Sequence, residues 1–288
     1  MIEKEFILAD GRKLPALGFG TYNAKGGDNL QMIKDAIEAG YRYFDTASLY
    51  GTERALGLAV QECGIPREEF ILASKVWTDE MGYVETKAAL ERSLSRIGTE
   101  YLDLYLIHWP KREEKDTGWK ERCQDTWHAM EELVQQGKIK AIGLSNFLPH
   151  HLDVILETAR IKPVVNQLEL HIGYSQEAAV TYSQSNGILV QAWSPLARVN
   201  MVGHSFIQNL AKKYDRTMAQ ICLRFLYQMG IMPIVKSADK GRMLENMQFF
   251  DFELEREDMQ MLECMPQNTW QGEHPDFSIP KVKSNINQ

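Results

Sequence analysis

Short apolar runs rich in β-branched and aromatic residues alternate along this chain with longer stretches of helical periodicity. The runs are LGFG at 17–20, YRYF at 41–44, FILASKV at 70–76, YLDLYLIH at 101–108, IKAIGLS at 139–145, PVVNQLEL at 163–170, ILVQAWS at 188–194 and IMPIVKS at 231–237. Most are apolar almost throughout instead of alternating, the pattern of parallel strands buried on both faces. Between them, stretches such as NLQMIKDAIEAG carry apolar residues at helical spacing, and Gly40, Gly98 and Gly137 stand where helix ends favour positive φ. The seventh connection is long enough for two helices, the second opening at Thr217-x-x-Gln220 with capping-box spacing. Ahead of the first run, FILA, Asp10-Gly11 and RKLPAL read as a hairpin that caps one end of the fold.

Eight strand–helix units predict the α/β class and a parallel sheet, and eight units close a (β/α)8 TIM-type barrel with an N-terminal β-hairpin cap and extra helices. A doubly wound open sheet is the rival architecture. No Pro/Ser-rich linker or shift in composition divides the 288 residues, so 1–288 reads as one domain, with a tail from about 267 to 288 contributing to a substrate pocket. Barrel enzymes carry their chemistry at the C-terminal ends of the strands, and the search for functional residues goes there.

Composition narrows the function classes. With 44% hydrophobic residues there is enough apolar material for a large core. A net charge of −7 without a long Lys/Arg block disfavours nucleic acid and anionic membranes as partners. MIEKEFILADGRK lacks the order of a signal peptide, and no apolar run reaches the roughly 20 residues of a membrane span, so the expected compartment is the cytoplasm. Cys63, Cys123, Cys222 and Cys264 form no CxxC pair and read as free thiols. His150 and His151 follow Pro149 at a helix start, where neighbouring side chains are expected to diverge, and no metal is expected. Glu169 and His171 read as a polar pair at a strand end. Surface helices show no heptad seam, which favours a monomer.

The ends of the second, third and fourth runs supply Asp45, Lys75 and His108, with Tyr50 five residues past Asp45. Taken singly, Asp45 reads equally as a helix cap, Lys75 as a snorkelling surface residue and His108 as a core histidine. Together they form a proton donor. A tyrosine hydroxyl with a pKa of about 10 is a weak acid, and a nearby ammonium is expected to stabilise its phenolate. Lys75 supplies the ammonium, Asp45 keeps it charged when buried, and His108 orients a substrate oxygen.

At these residues the chain resembles the aldo-keto reductase family, from about Leu17 to Pro266. GYRYFDTASLYGTE holds the family's Asp and Tyr, SKVW its Lys and LIHWP its His. The resemblance implies that Asp45, Tyr50, Lys75 and His108 are the catalytic tetrad of an oxidoreductase that reduces aldehydes and ketones with NADPH, NADH being the weaker alternative. It implies cofactor contacts from Gly20, Thr21, Asp45, Ser145, Asn146, Gln167, Trp193, Ser194 and Leu196. Trp193 stands where the family more often has Tyr. A phosphate and adenine site is implied at Lys236, Ser237, Arg242, Glu245 and Asn246, with Val235 in place of the family's usual Pro and the proline at Pro233 instead. Tyr22, Trp77, His108 and Trp109 match residues lining an apolar substrate cleft, and the loops after Pro110 and Leu196 are expected to set specificity. GFGTYN lacks the third glycine and the acidic residue of a dinucleotide fingerprint, so a Rossmann reading fails. Two other readings stand beside this one: a nucleotide-binding regulatory protein on the same barrel without turnover, and a metal-dependent barrel enzyme, which wants carboxylates and histidines where Lys and Tyr stand.

Overall fold

A computed structural model describes residues 5–22, 28–197, 204–268, 271–277 and 279–280. The expected specificity loop after Leu196 therefore lies outside the described residues from 198 to 203, as do 269–270, 278 and 281–288 of the tail.

β1 (Glu5–Ile7) and β2 (Lys13–Pro15) pair antiparallel with Phe6 opposite Leu14, forming the expected hairpin. Its turn holds three residues, Ala9 to Gly11. Leu8 N donates to Arg12 O at 2.8 Å and Gly11 N to Leu8 O at 2.9 Å, and of the loop residues only Gly11, at φ 84°, is left-handed. A three-residue loop ending in a left-handed glycine meets the strand twist with one such residue instead of two.

The eight runs become β3 (Gly18–Gly20), β4 (Tyr43–Asp45), β5 (Ile71–Val76), β6 (Leu102–Ile107), β7 (Ile139–Ser145), β8 (Val165–Glu169), β9 (Leu189–Trp193) and β10 (Met232–Val235). They close into a parallel barrel in the order β10-β3-β4-β5-β6-β7-β8-β9. Around it lie α1 (Asn29–Glu38), α2 (Glu53–Glu62), α3 (Tyr83–Ile97), α4 (Trp119–Gln135), α5 (Pro149–Leu156), α6 (Glu177–Ser185), α7 (Ser205–Tyr214), α8 (Met218–Gln228), α9 (Lys240–Asn246) and α10 (Arg256–Glu263). α7 and α8 both fall between β9 and β10. The capping box at the start of α8 is made, Thr217 N donating to Gln220 Oε1 at 3.0 Å and Gln220 N to Thr217 Oγ1 at 3.3 Å. No helix of the described residues is long and apolar enough to cross a membrane.

Alternation along each strand decides what fills the barrel. Tyr43, Ala73, Leu104, Leu106, Ala141, Val165, Met232 and Ile234 form one interior cluster with Leu8 and Leu14 of the hairpin, which plugs the N-terminal end. Two residues further along the strands, the same inward row turns polar. Tyr43 leads to Asp45, Ala73 to Lys75, Leu106 to His108, Val165 to Gln167 and Leu189 to Gln191. An apolar floor thus lies beneath a polar rim. Outward positions such as Phe44, Leu72, Tyr105, Ile107, Ile142 and Leu144 pack beneath the helices. α2 and α3 approach closely at Gly57, where an added Cβ would stand 1.9 Å from the Ile97 carbonyl oxygen.

Candidate active site

β4, β5 and β6 bring the four expected proton-active side chains to one place on the rim. Lys75 is fully buried and its Nζ makes three contacts: Asp45 Oδ1 at 2.5 Å, Thr46 O at 3.1 Å and the Tyr50 hydroxyl at 3.4 Å. Tyr50 lies on a single helical turn, Ser48–Tyr50, and its hydroxyl is 3.3 Å from His108 Nε2. The second Asp45 oxygen accepts from Gln167 Nε2 at 2.9 Å, and Gln167 in turn meets Gln191 Oε1 at 3.2 Å. Gln191 Nε2 donates to the Tyr43 hydroxyl at 3.0 Å, so a continuous polar network crosses the barrel between its floor and the rim. Neither Gln191 nor Tyr43 was expected at the site. Their signal was available in the period-two pattern, since Gln191 shares the rim row with Gln167 and Tyr43 lies one inward position below Asp45.

The electrostatics differ from the sequence expectation. Burial lifts the Tyr50 phenol well above its ordinary range, and the charges of Asp45, Tyr22 and Glu273 push in the same direction. The net displacement of the resting phenol is upward, with Lys75 3.4 Å away. Its ammonium is committed first to Asp45, and burial even lowers the pKa of Lys75 against the support of that carboxylate. Burial, then the Lys75 charge, holds the His108 imidazole well below its usual value, so it is neutral at pH 7. The phenol oxygen thus lies within hydrogen-bonding reach of both His108 Nε2 and Lys75 Nζ.

Aromatic rings wall this group. Tyr22 is half exposed, with its ring 4.9 Å from that of Tyr50, and Trp77 packs edge-on against His108 at 5.1 Å. Trp77 and Trp109 are almost fully buried. Trp77 Nε1 and His108 Nδ1 are buried without a hydrogen-bond partner.

β7, β8 and β9 place the amide and indole groups. Asn146 takes φ 62° just past β7, a left-handed conformation costing a non-glycine residue about 1–2 kcal/mol, and its side chain is fixed on both ends. Its Nδ2 donates to His108 O at 3.0 Å and to Ser145 Oγ at 3.1 Å, while its Oδ1 accepts from Trp193 Nε1 at 2.9 Å. The Trp193 indole is thereby pinned at its edge and only part-buried on the rim, and Ser194 beyond it is again left-handed at φ 53°. Gly20 pairs with Asp45 across β3 and β4, and Leu196 is part-buried. Thr21 is turned inward: it is fully buried, its hydroxyl donating to Asp45 O at 3.1 Å and lying 2.8 Å from Thr52 Oγ1. It ties two rim loops together.

Past β10, Lys236 and Arg242 are exposed and Ser237 is buried. The Ser237 hydroxyl accepts from Asp239 N at 3.0 Å and the Asp239 carboxylate from Arg242 N at 2.8 Å, which fixes the loop into α9. Pro233 sits within β10 opposite Ala192, so Val235 is an ordinary strand residue, paired with Phe19. Asn246 is buried against Tyr41, while Glu245 borders a cleft of about 720 Å³ with Arg216, Thr217 and Gln220. Amides, a pinned indole, two cations and a hydroxyl strung across one end of a barrel form a donor set that fits a nicotinamide dinucleotide in an extended conformation.

Of the two histidine expectations, one holds and one changes. Glu169 Oε1 and His171 Nε2 meet at 3.3 Å and both residues are buried, a strand-end pair as expected. His150 and His151 do not diverge. Their rings lie 3.9 Å apart and both approach Asp276, so three potential ligand atoms fall within 4.8 Å of one another. The helix start bends the backbone enough to bring adjacent side chains onto one acceptor. However, Leu148 N donates to His151 Nδ1 at 3.2 Å, which puts the proton of that neutral ring on Nε2, facing Asp276 Oδ1 at 3.1 Å, and a Lys111 ammonium adjoins the same carboxylate at 3.3 Å. Protonated Nε2 and an adjacent cation make a hydrogen-bonding cluster of this group.

A sequence model of the aldo/keto reductase family matches residues 16–203 and 204–265. Glyoxal reductase of Bacillus subtilis (strain 168) is 40% identical over 270 residues, covering 93% of this chain and 95% of its own. The 9,11-endoperoxide prostaglandin H2 reductase of Trypanosoma cruzi (strain CL Brener) is 40% identical over 272 residues, with 93% of each chain covered. Among solved structures, a Bombyx mori aldo-keto reductase in complex with NADP superposes with a TM-score of 0.85 at 30% identity, covering 97% of this chain and 100% of the other.

Proposed function

The chain belongs to the aldo/keto reductase family, and from that premise we propose that it reduces aldehydes and ketones to alcohols with NADPH, Tyr50 being the proton donor. The observation that carries the assignment is the convergence of Lys75 Nζ and His108 Nε2 on the Tyr50 hydroxyl, at 3.4 Å and 3.3 Å. When bound, the nicotinamide supplies the hydride that forms the new C–H bond at the carbonyl carbon.

The chain's own residues handle the proton. The Tyr50 O–H bond breaks as its proton passes to the carbonyl oxygen, which becomes the alcohol. A phenol that is fully protonated at neutral pH suits this role, because an alkoxide is far more basic than a phenolate. Lys75 then lies beside the new phenolate and stabilises it until a solvent proton restores the hydroxyl. His108, neutral and part of the same cluster, orients the carbonyl oxygen toward Tyr50. Ser145, Asn146 and Gln167 have the chemistry to hold a carboxamide, and Trp193 that of a stacking face. Lys236, Ser237 and Arg242 suit the 2′-phosphate, which favours NADPH over NADH. The aromatic walls from Tyr22, Trp77 and Trp109 suit apolar carbonyl compounds. Free thiols at Cys63, Cys123, Cys222 and Cys264 suit a reducing compartment, the cytoplasm.

The test is NADPH oxidation, followed by absorbance, against a panel of aldehydes for the parent and Tyr50→Phe. The variant is expected to bind NADPH as the parent does and to lose about 10²–10⁴-fold in kcat. Equal turnover by the two proteins overturns the role of Tyr50.

A further inference from the structure

After α10, the described residues on either side of 269–270 are fastened at the barrel mouth. At one end Gln267 Oε1 accepts from Ser175 N at 2.7 Å, in the loop that leaves β8. At the other, the Asp276 carboxylate receives Lys111 Nζ at 3.3 Å, His151 Nε2 at 3.1 Å and His150 Nε2 at 3.2 Å. Lys111 lies three residues past His108, and His150 and His151 four and five past Asn146, so this anchor joins the segments that follow β6 and β7. Pro275 and Ile279 are buried on either side of it. Between the anchors lies Glu273, whose charge is felt at the Tyr50 phenol. Although burial opposes ionisation, the two histidines and Lys111 hold the Asp276 carboxyl below its ordinary range. Burial, then the neighbouring His150, lowers His151 to about 3, so it donates as a neutral imidazole and Lys111 supplies a full positive charge.

We propose that Asp276 is a positioning residue: by gripping Lys111, His150 and His151 it latches residues 271–277, part of the tail already expected to contribute to the substrate pocket, in the place where they contact the carbonyl substrate. Asp276 touches neither the carbonyl nor the phenol. Its effect therefore belongs to substrate affinity and leaves the hydride and proton transfers to the residues on β4, β5 and β6. This inference rests on the reductase reading above.

The experiment compares the parent with Asp276→Ala and Lys111→Met by hydrogen exchange and by steady-state reduction of benzaldehyde with saturating NADPH. In both variants the amides of 271–277 are expected to exchange faster, KM to rise about tenfold, and kcat and NADPH affinity to change less than threefold, as for lost uniform binding. Asp276→Glu, which keeps the charge, is expected to recover part of the affinity. Unaltered exchange means that the carboxylate does not hold the segment. Faster exchange with an unmoved KM means that the segment is no part of the pocket. A fall in kcat with constant KM assigns the residue to chemistry. Each of these three results overturns the proposal. A parent that reduces no aldehyde overturns the reductase reading itself and the pocket wall with it, a failure distinct from a parent that turns over with KM unmoved in the variants.

Discussion

The Lys75 ammonium lies 2.5 Å from the Asp45 carboxylate and 3.4 Å from the Tyr50 hydroxyl, so its first partner is the acid and its second the phenol. Removing one member of a buried ion pair leaves an uncompensated charge, at a cost of about 3–5 kcal/mol. Lys75→Met is accordingly expected to lower Tm and abolish turnover together. The double variant Lys75→Met/Asp45→Asn is expected to regain most of the stability and none of the activity, by thermal unfolding and NADPH oxidation. Turnover in the double variant would show that the ammonium has no part in stabilising the phenolate.

The pH profile follows from two displaced groups. Burial moves the phenol of Tyr50 up and the imidazole of His108 down, so both are neutral across the middle of the scale. Raising the pH through neutrality then takes no proton from Tyr50, and carbonyl reduction is expected to stay level from about pH 6 to about pH 9. Alcohol oxidation needs the phenolate as base and is expected to climb over the same range. A kcat/KM for reduction that halves near pH 7 would mean that Lys75 does acidify the resting phenol.

Arg242 is the exposed guanidinium at the start of α9 and the bidentate partner expected of a 2′-phosphate. A hydrogen bond to a charged group is worth about 1.5–3 kcal/mol, so Arg242→Ala is expected to weaken NADPH binding by about 10-fold to 100-fold and NADH binding hardly at all. Fluorescence titration with both nucleotides measures the difference. An equal loss for the two assigns Arg242 to the loop's architecture.

At Gly57 the α2 backbone lies against the end of α3, with no room for a methyl group. Gly57→Ala forces the helices apart at a cost of about 1–3 kcal/mol or more, a fall in Tm of roughly 2–4 °C per kcal/mol at this size. Turnover per folded molecule is expected to persist, since the site is built on the strands. An unchanged Tm would mean that the two helices repack freely.

The strands were legible because each is a short apolar run set between helical stretches, while the choice of a closed barrel over a doubly wound sheet was decided by the pairing of β10 with β3. The proton-active cluster was legible because Asp45, Lys75 and His108 stand at or just past the ends of consecutive strands and Tyr50 follows Asp45 by five residues. Other features hid behind distance. Gln191 and Tyr43 lie 148 residues apart and meet only because the barrel closes. Asp276 and His151 lie 125 apart and meet only because the tail turns back over the rim. The hairpin was legible at Asp10-Gly11, but turn chemistry specifies a left-handed position without specifying how many residues share the loop.

By itself the sequence determined the alternation of strand and helix, the inward row of each strand and the identity of the side chains delivered to the rim, all local properties set by spacing and solvation. Tertiary structure alone decided which partner Lys75 meets at the shorter distance, which way burial moves the Tyr50 phenol and what the Asp276 carboxylate contacts. Those outcomes depend on burial and on distances of a few ångströms between segments remote in the chain, and electrostatic free energy is set by such distances and by the exclusion of water.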